Sequence, residues 1–86
     1  MYELRFTSKF YKSLKKLSHN EQMQTFKKLK LLAENPLHPS LRSKKVRGTE
    51  TFEMSVNMDI RVIWKYDNGI IIIVIEVGHH KDVLGI

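Results

Sequence analysis

The stretch Ile60–His80, IRVIWKYDNGIIIIVIEVGHH, limits what this chain can fold into more than any other feature. Two runs rich in β-branched and aromatic residues flank Asp67-Asn68-Gly69, and Asn-Gly between such runs is the strongest short-range hairpin signal. With Asn68 and Gly69 as the two loop residues of a type I′ turn, the register follows. Asp67 faces Ile70, Lys65 faces Ile72, Ile63 faces Val74 and Arg61 faces Glu76. Side chains alternate across a sheet, so Arg61, Ile63, Lys65, Ile72, Val74 and Glu76 share one face. Val62, Trp64, Tyr66, Ile71, Ile73 and Ile75 share the other, which this register makes the main core face. Ile70–Ile75 is apolar at every position, as expected of a central strand covered on both faces. It is far too short for a membrane span, which needs about 20 apolar residues. The same register predicts an Arg61–Glu76 ion pair beside Gly78, His79 and His80. A cation, a carboxylate and two imidazoles then meet at one end of the most rigid element.

Around this hairpin the chain reads in order as further strands and helices. Tyr2–Phe6 alternates apolar and polar residues, as a short strand does. Thr7 or Ser8 can cap the helix that follows, whose apolar stripe is Phe10, Leu14 and Leu17, with Lys9, Lys12 and Lys16 on the far side. Ser18-His19-Asn20-Glu21 has capping-box spacing and starts a second helix. Met23, Phe26, Lys30 and Ala33, with Leu29 and Leu32 beside them, are its expected buried face. Asn35-Pro36 ends it, because proline disfavours helix in the residue before it. Leu37–Gly48 reads as a surface loop, Thr51–Val56 as a strand with Phe52, Met54 and Val56 on one side and Glu53 and Ser55 on the other. Asn57-Met58-Asp59 turns into the hairpin, and the tail Lys81–Ile86 adds half a turn of helix or another strand turn. The expected fold class is α+β, ordered β-α-α-β-β-β: a mostly antiparallel four-stranded sheet with a two-helix hairpin on one face.

Composition narrows the function classes. At 86 residues the chain is expected to be one domain, 1–86, with a single modest core. It has no cysteine, which excludes disulfides and thiolate chemistry. His19 and His38 lie in distant loops, so no zinc site is expected with His79 and His80, nor any other cofactor. The opening MYELRFTSKF has no apolar h-region, so the expected compartment is the cytosol, with no membrane partner. Net charge is +6, with eight Lys/Arg against two Glu in residues 1–32 and seven of each sign in residues 33–86. Arg42, Lys44, Lys45 and Arg47 put four cations in six residues. Such a surface suits RNA, DNA or an acidic protein, or is simply a solvated face.

Three groups carry candidate chemistry. His79 and His80 titrate near neutrality and so suit general acid–base work; the alternative is a solvated strand end. A continued strand puts His80, not His79, on the face of Arg61. Arg61 either holds a phosphate through its planar fork or forms a structural salt bridge with Glu76. The loop Arg42–Arg47 either grips a nucleic-acid backbone or is merely exposed. Trp64 reads as core rather than as a base-stacking platform.

Taken together, these residues resemble the RelE/ParE superfamily of bacterial and archaeal toxins. The likeness rests on the opening strand and Lys-rich helix pair, the Asn35-Pro36 stop, and Val46-Arg47-Gly48 before a strand. Above all it rests on Ile60-Arg61-Val62-Ile63-Trp64 followed by Ile75-Glu76-Val77-Gly78-His79-His80-Lys81-Asp82-Val83. The resemblance implies the toxin of a type II toxin–antitoxin pair, a free monomer kept silent by an acidic antitoxin. RelE-like members cut mRNA in the ribosomal A site by attack of the 2′-hydroxyl on the adjacent phosphate, which needs a base, an acid and a cation. Arg61 matches the family's strand arginine, and His79 or His80 its C-terminal acid or base. Glu53 would act as base, and Lys44, Lys45, Arg47 and Lys81 would hold RNA. The chain departs from the family pattern where Glu53 and Ser55 stand in place of two strand lysines and Leu84 in place of a terminal tyrosine. Two rivals follow from those departures: a ParE-like gyrase inhibitor, and a catalytically inactive binding or regulatory member.

Overall fold

In the computed structural model, which describes residues 1–84, the chain runs β1 (Glu3–Phe6), α1 (Ser8–Leu14), α2 (His19–Glu34), β2 (Lys44–Lys45), β3 (Phe52–Ser55), β4 (Ile60–Tyr66), β5 (Ile71–His79) and α3 (His80–Leu84). The strands form one sheet in the order β1-β5-β4-β3-β2. Only the β1–β5 pairing is parallel. The α+β order matches the sequence reading, with one strand more than expected. That strand is the two-residue β2, where Lys44 pairs with Glu53 and Lys45 with Phe52. The tail forms α3 as far as Leu84, and Gly85 and Ile86 lie outside the described residues.

Both long helices start where their caps dictate. The Thr7 hydroxyl accepts from the Phe10 N–H at 3.0 Å. Ser18 and Glu21 form a reciprocal capping box, with bonds of 2.9 and 3.1 Å. Phe10 and Leu17 are buried as expected. The expected inner face of α2 is only half right, because Thr25, Leu29 and Leu32 point into the core while Met23 and Phe26 stay 54% and 47% exposed. Thr25 hides its hydroxyl by donating to the Glu21 carbonyl at 2.8 Å, which lets a polar residue occupy a core position that apolar periodicity assigned elsewhere.

The sheet's core face carries Met54, Val62, Trp64, Ile72, Val74 and Val77, none more than 2% exposed. Phe52 stacks on Trp64 with ring centroids 4.6 Å apart. This corrects the expected face assignment, which placed Ile71, Ile73 and Ile75 inside instead of Ile72 and Val74. The cause is the turn. The three residues Asn68–Ile70 form the loop, closed by the Asp67 N–H bonded to the Ile71 carbonyl at 2.9 Å. The Asn68 carboxamide oxygen accepts from the Ile70 and Ile71 N–H groups. Neither Asn68 nor Gly69 takes a positive φ, so the type I′ turn does not form. Tyr66 therefore pairs with Ile72, Lys65 with Ile73 and Trp64 with Val74.

A second shift follows between Ile63 and Trp64, where Ile63 pairs with Glu76 and leaves Ile75 as the extra residue of a β-bulge. Beyond it Val62 pairs with Val77, Arg61 with Gly78 and Ile60 with His79. The expected Arg61–Glu76 pair is therefore absent. Glu76 binds Lys9 of α1 instead, at 3.1 Å. The bulge lies just past the end of β1, where the backbone of β5 loses its parallel neighbour. Side chains of α1 take its place: the Thr7 hydroxyl donates to the Ile75 carbonyl at 2.6 Å and the Ser13 hydroxyl accepts from the Val77 N–H at 3.1 Å.

Residues 37–48 are less free than a surface loop. A 3₁₀ turn at Pro39–Leu41 drives Leu41 into the core, where it is completely buried. The Ser43 hydroxyl donates back to the Pro36 carbonyl at 3.0 Å. The segment bearing the basic cluster is thus tied to the core before Arg42 and to the end of α2 after it.

Candidate functional site

On the sheet face turned away from the core, β3 and β4 present Glu53, Ser55, Arg61 and Ile63, because their neighbours Met54, Val62 and Trp64 point inward. Across three strands Ser55, Arg61 and Gly78 stand in one row. The arginine is flanked by two of the smallest residues, so no bulky neighbour covers it. Arg42, Lys44, Glu53, Ser55, Arg61 and His80 line an open cleft of about 320 Å³ at this place. Three cations face one carboxylate and one imidazole there, which suits a phosphodiester.

Arg61 is held by backbone alone. Its Nη1 donates to the Asn57 carbonyl at 2.7 Å and to the Ile60 carbonyl at 3.2 Å. Among the described residues no carboxylate pairs with it. The structural salt bridge weighed from the sequence is therefore not its role. Nε and Nη2 make no hydrogen bond to the described residues, and a guanidinium has five N–H donors in a rigid fork.

The two histidines separate. His80 opens α3 and lines the Arg61 cleft, and its backbone N–H donates to the Asp59 carbonyl at 2.7 Å. Its Nδ1 is buried without a partner among the described residues. His79 faces a different cleft, of about 270 Å³, with Lys9, Lys12, Lys16, Glu76 and Asp82. Its Nδ1 meets the Asp59 carboxylate at 2.7 Å, and that hydrogen bond holds the imidazole's pKa above its ordinary value.

Glu53 is buried and pairs with Lys44 Nζ at 3.4 Å. Lys45 and Arg47 are exposed outside the cleft, as is Lys81 on α3. The site thus gathers Arg61, His80, Glu53 and Lys44 from the sequence-derived set, and leaves out His79, Lys45, Arg47 and Lys81. Sequence reasoning held Arg42 within the basic loop Arg42–Arg47 that could grip a nucleic-acid backbone, and missed Ser55 as a lining residue. Arg42 adopts a left-handed conformation, φ 52° and ψ 38°, at the end of the 3₁₀ turn. A non-glycine residue there stores on the order of 1 kcal/mol or more of backbone strain.

A family model for the ParE toxin of type II toxin–antitoxin systems matches residues 4–84. The chain belongs to this family. It is a toxin of the RelE/ParE superfamily, of the type II toxin–antitoxin class. Among solved structures it is similar to the E. coli RelBE toxin–antitoxin complex, with 26% identity and a TM-score of 0.73 over 92% of this chain and 96% of that one. The RelBE2 complex of Mycobacterium tuberculosis shows 22% identity and a TM-score of 0.77, covering 92% and 98%. YafQ from E. coli shares the fold at 18% identity and a TM-score of 0.75, covering 99% and 100%. By sequence, no curated protein matches the chain at a significant level.

Proposed function

We propose that this toxin inhibits translation by cutting mRNA in the ribosomal A site, and that the Arg61 cleft is where it cuts. The supporting observation is Arg61 itself, with one nitrogen tied to carbonyls, no carboxylate partner among the described residues, and Ser55 and Gly78 beside it in the sheet. In the reaction the 2′-oxygen attacks the adjacent phosphorus while the bond to the 5′-oxygen breaks, leaving a 2′,3′-cyclic phosphate and a 5′-hydroxyl. Glu53 takes the 2′-hydroxyl proton, and His80 gives one to the leaving 5′-oxygen. Arg61 stabilises the extra charge on the phosphoryl oxygens, a kind of contribution commonly worth about 3–4 kcal/mol. Arg42 and Lys44 hold neighbouring phosphates, with Lys45, Arg47 and Lys81 as outlying backbone contacts. No cofactor takes part. The RelBE and RelBE2 structures and an archaeal RelE–RelB structure are toxin–antitoxin complexes. By analogy an acidic antitoxin covers the basic surface of this chain, which is a monomer when free.

The test is 3′-end mapping of mRNA in a purified translation reaction, with and without ribosomes, for the wild type and Arg61→Ala. Cuts that need ribosomes and vanish in the variant are expected. Intact mRNA with the wild type would remove the nuclease reading. A gyrase-directed toxin is the second reading, favoured by the ParE description of the matching family and by a buried Glu53 already paired with Lys44. Loss of gyrase supercoiling activity together with intact mRNA would establish it.

A further inference from the structure

We infer that the turn Asn57–Asp59 is the device that sets the cleft, with Asn57 and Asp59 acting as positioning residues for Arg61 and His80. This inference rests on the nuclease reading above. Two functional residues from different elements are tied to this one turn, Arg61 by its side chain and His80 by its backbone. The Asn57 carbonyl accepts from Arg61 Nη1 at 2.7 Å, and the Asp59 carbonyl accepts from the His80 N–H at 2.7 Å. Neither bond could hold a fixed geometry if the turn itself were loose. The Asn57 side chain stiffens it: its oxygen accepts from the Asp59 and Ile60 N–H groups, both at 2.8 Å. Its amide donates to Gln24 Oε1 of α2 at 2.7 Å, which ties the turn to the helical layer. The Asp59 carboxylate closes the other side by binding His79 Nδ1 at 2.7 Å.

The two adjacent histidines thereby divide the work. His79 is a strut on the far side of β5, and His80 is the residue it helps to aim. The charged partner that holds the His79 imidazole above its ordinary pKa is the same Asp59, consistent with a tie that forms in the free protein. Neither Asn57 nor Asp59 lines the cleft, so both act only through the residues they hold.

The test compares Asp59→Ala, Asp59→Asn and His79→Ala with the wild type. Cleavage is measured at saturating ribosomes, ribosome affinity separately, and the thermal midpoint alongside. An asparagine keeps an oxygen that accepts from His79, so Asp59→Asn should cut within a few fold of the wild type. Asp59→Ala and His79→Ala should cut on the order of tenfold to a hundredfold more slowly, with ribosome affinity unchanged. Should Asp59→Ala fail to fold, His79→Ala decides alone, since it removes the other end of the same tie. Wild-type rates in the alanine variants, with the wild type active, would overturn the positioning role and leave the nuclease reading intact. A wild type that cuts nothing would overturn both.

Discussion

Replacing Arg61 by lysine separates the two things the guanidinium does. Its structural bonds go to two carbonyls from Nη1, and a lysine ammonium can still reach one of them. The expected stability loss is therefore within about 1 kcal/mol, a small part of the 5–15 kcal/mol typical of a folded domain. For a domain of this size that lowers the melting midpoint by about 4–8 °C. The catalytic loss should be much larger. A lysine that stays on the Asn57 carbonyl has no second, parallel N–H pair for a phosphate, which is what the planar fork provides. Losing a preorganised donor to a transition-state oxygen costs about 3–4 kcal/mol, or 10²–10³-fold in rate. Cleavage at saturating ribosomes and thermal unfolding, measured on one preparation, give both numbers. A variant that melts normally yet cuts within tenfold of the wild type would sink the argument that the arginine fork contacts the phosphate. A variant that loses stability and activity in step would return Arg61 to a structural role.

Three further outcomes follow from the packing. Leu41→Ala empties a fully buried position and should cost about 2–5 kcal/mol; because Arg42 and Lys44 hang on that anchor, cleavage should fall even below the melting range, and an unchanged midpoint would refute the anchoring. At Gly78 an added methyl would meet Val83 Cγ2 at 2.9 Å, so Gly78→Ala should push α3 outward, cost about 1–3 kcal/mol and slow cutting through His80; wild-type melting and rate would show that α3 does not pack there. His79 has its pKa raised from 6.5, chiefly by its hydrogen bond to Asp59, so the folded state binds that proton more tightly than the unfolded chain. Its contribution to stability is complete below about 6.5 and is lost as pH rises through the higher folded value. The melting midpoint of the wild type should therefore decline over that window relative to Asp59→Asn, and parallel curves would contradict it.

Local chemistry made most elements readable. Thr7, the Ser18–Glu21 box and Asn35-Pro36 marked helix ends through bonds between near neighbours, and β3 alternated cleanly. What could not be read were choices made by distant contacts. Met23 and Phe26 look like an inner face until Thr25 satisfies its own hydroxyl within the helix and takes the core position. Lys44 and Lys45 carry no strand pattern; they pair with β3 because Leu41 delivers them there. Arg42 enters the site through a left-handed backbone that its side chain does nothing to announce.

The hairpin shows how a wrong register still pointed to the right place. A three-residue loop in place of the expected two moved the pairing by one residue, which turned Ile72 and Val74 inward instead of Ile71 and Ile73. A one-residue slip must do this, because side chains alternate with period two. The bulge at Ile75 then moved the pairing by one more residue in the same direction, which restored the original alternation. Beyond the bulge Glu76 and Gly78 stand opposite Ile63 and Arg61, on the parity the simple hairpin assigned them, but displaced by two positions. Two residues of strand span about 7 Å. That distance separates the expected ion pair from the observed one, with Glu76 on Lys9 and Gly78 beside Arg61. The displacement is also what opens the cleft: with Glu76 opposite it, Arg61 would face a carboxylate, whereas Gly78 leaves its free nitrogens open to a phosphate. A carboxylate put into that row by Ser55→Asp should therefore pair with Arg61 and abolish cutting in the mRNA 3′-end mapping, and unchanged cutting with normal melting would refute the reasoning.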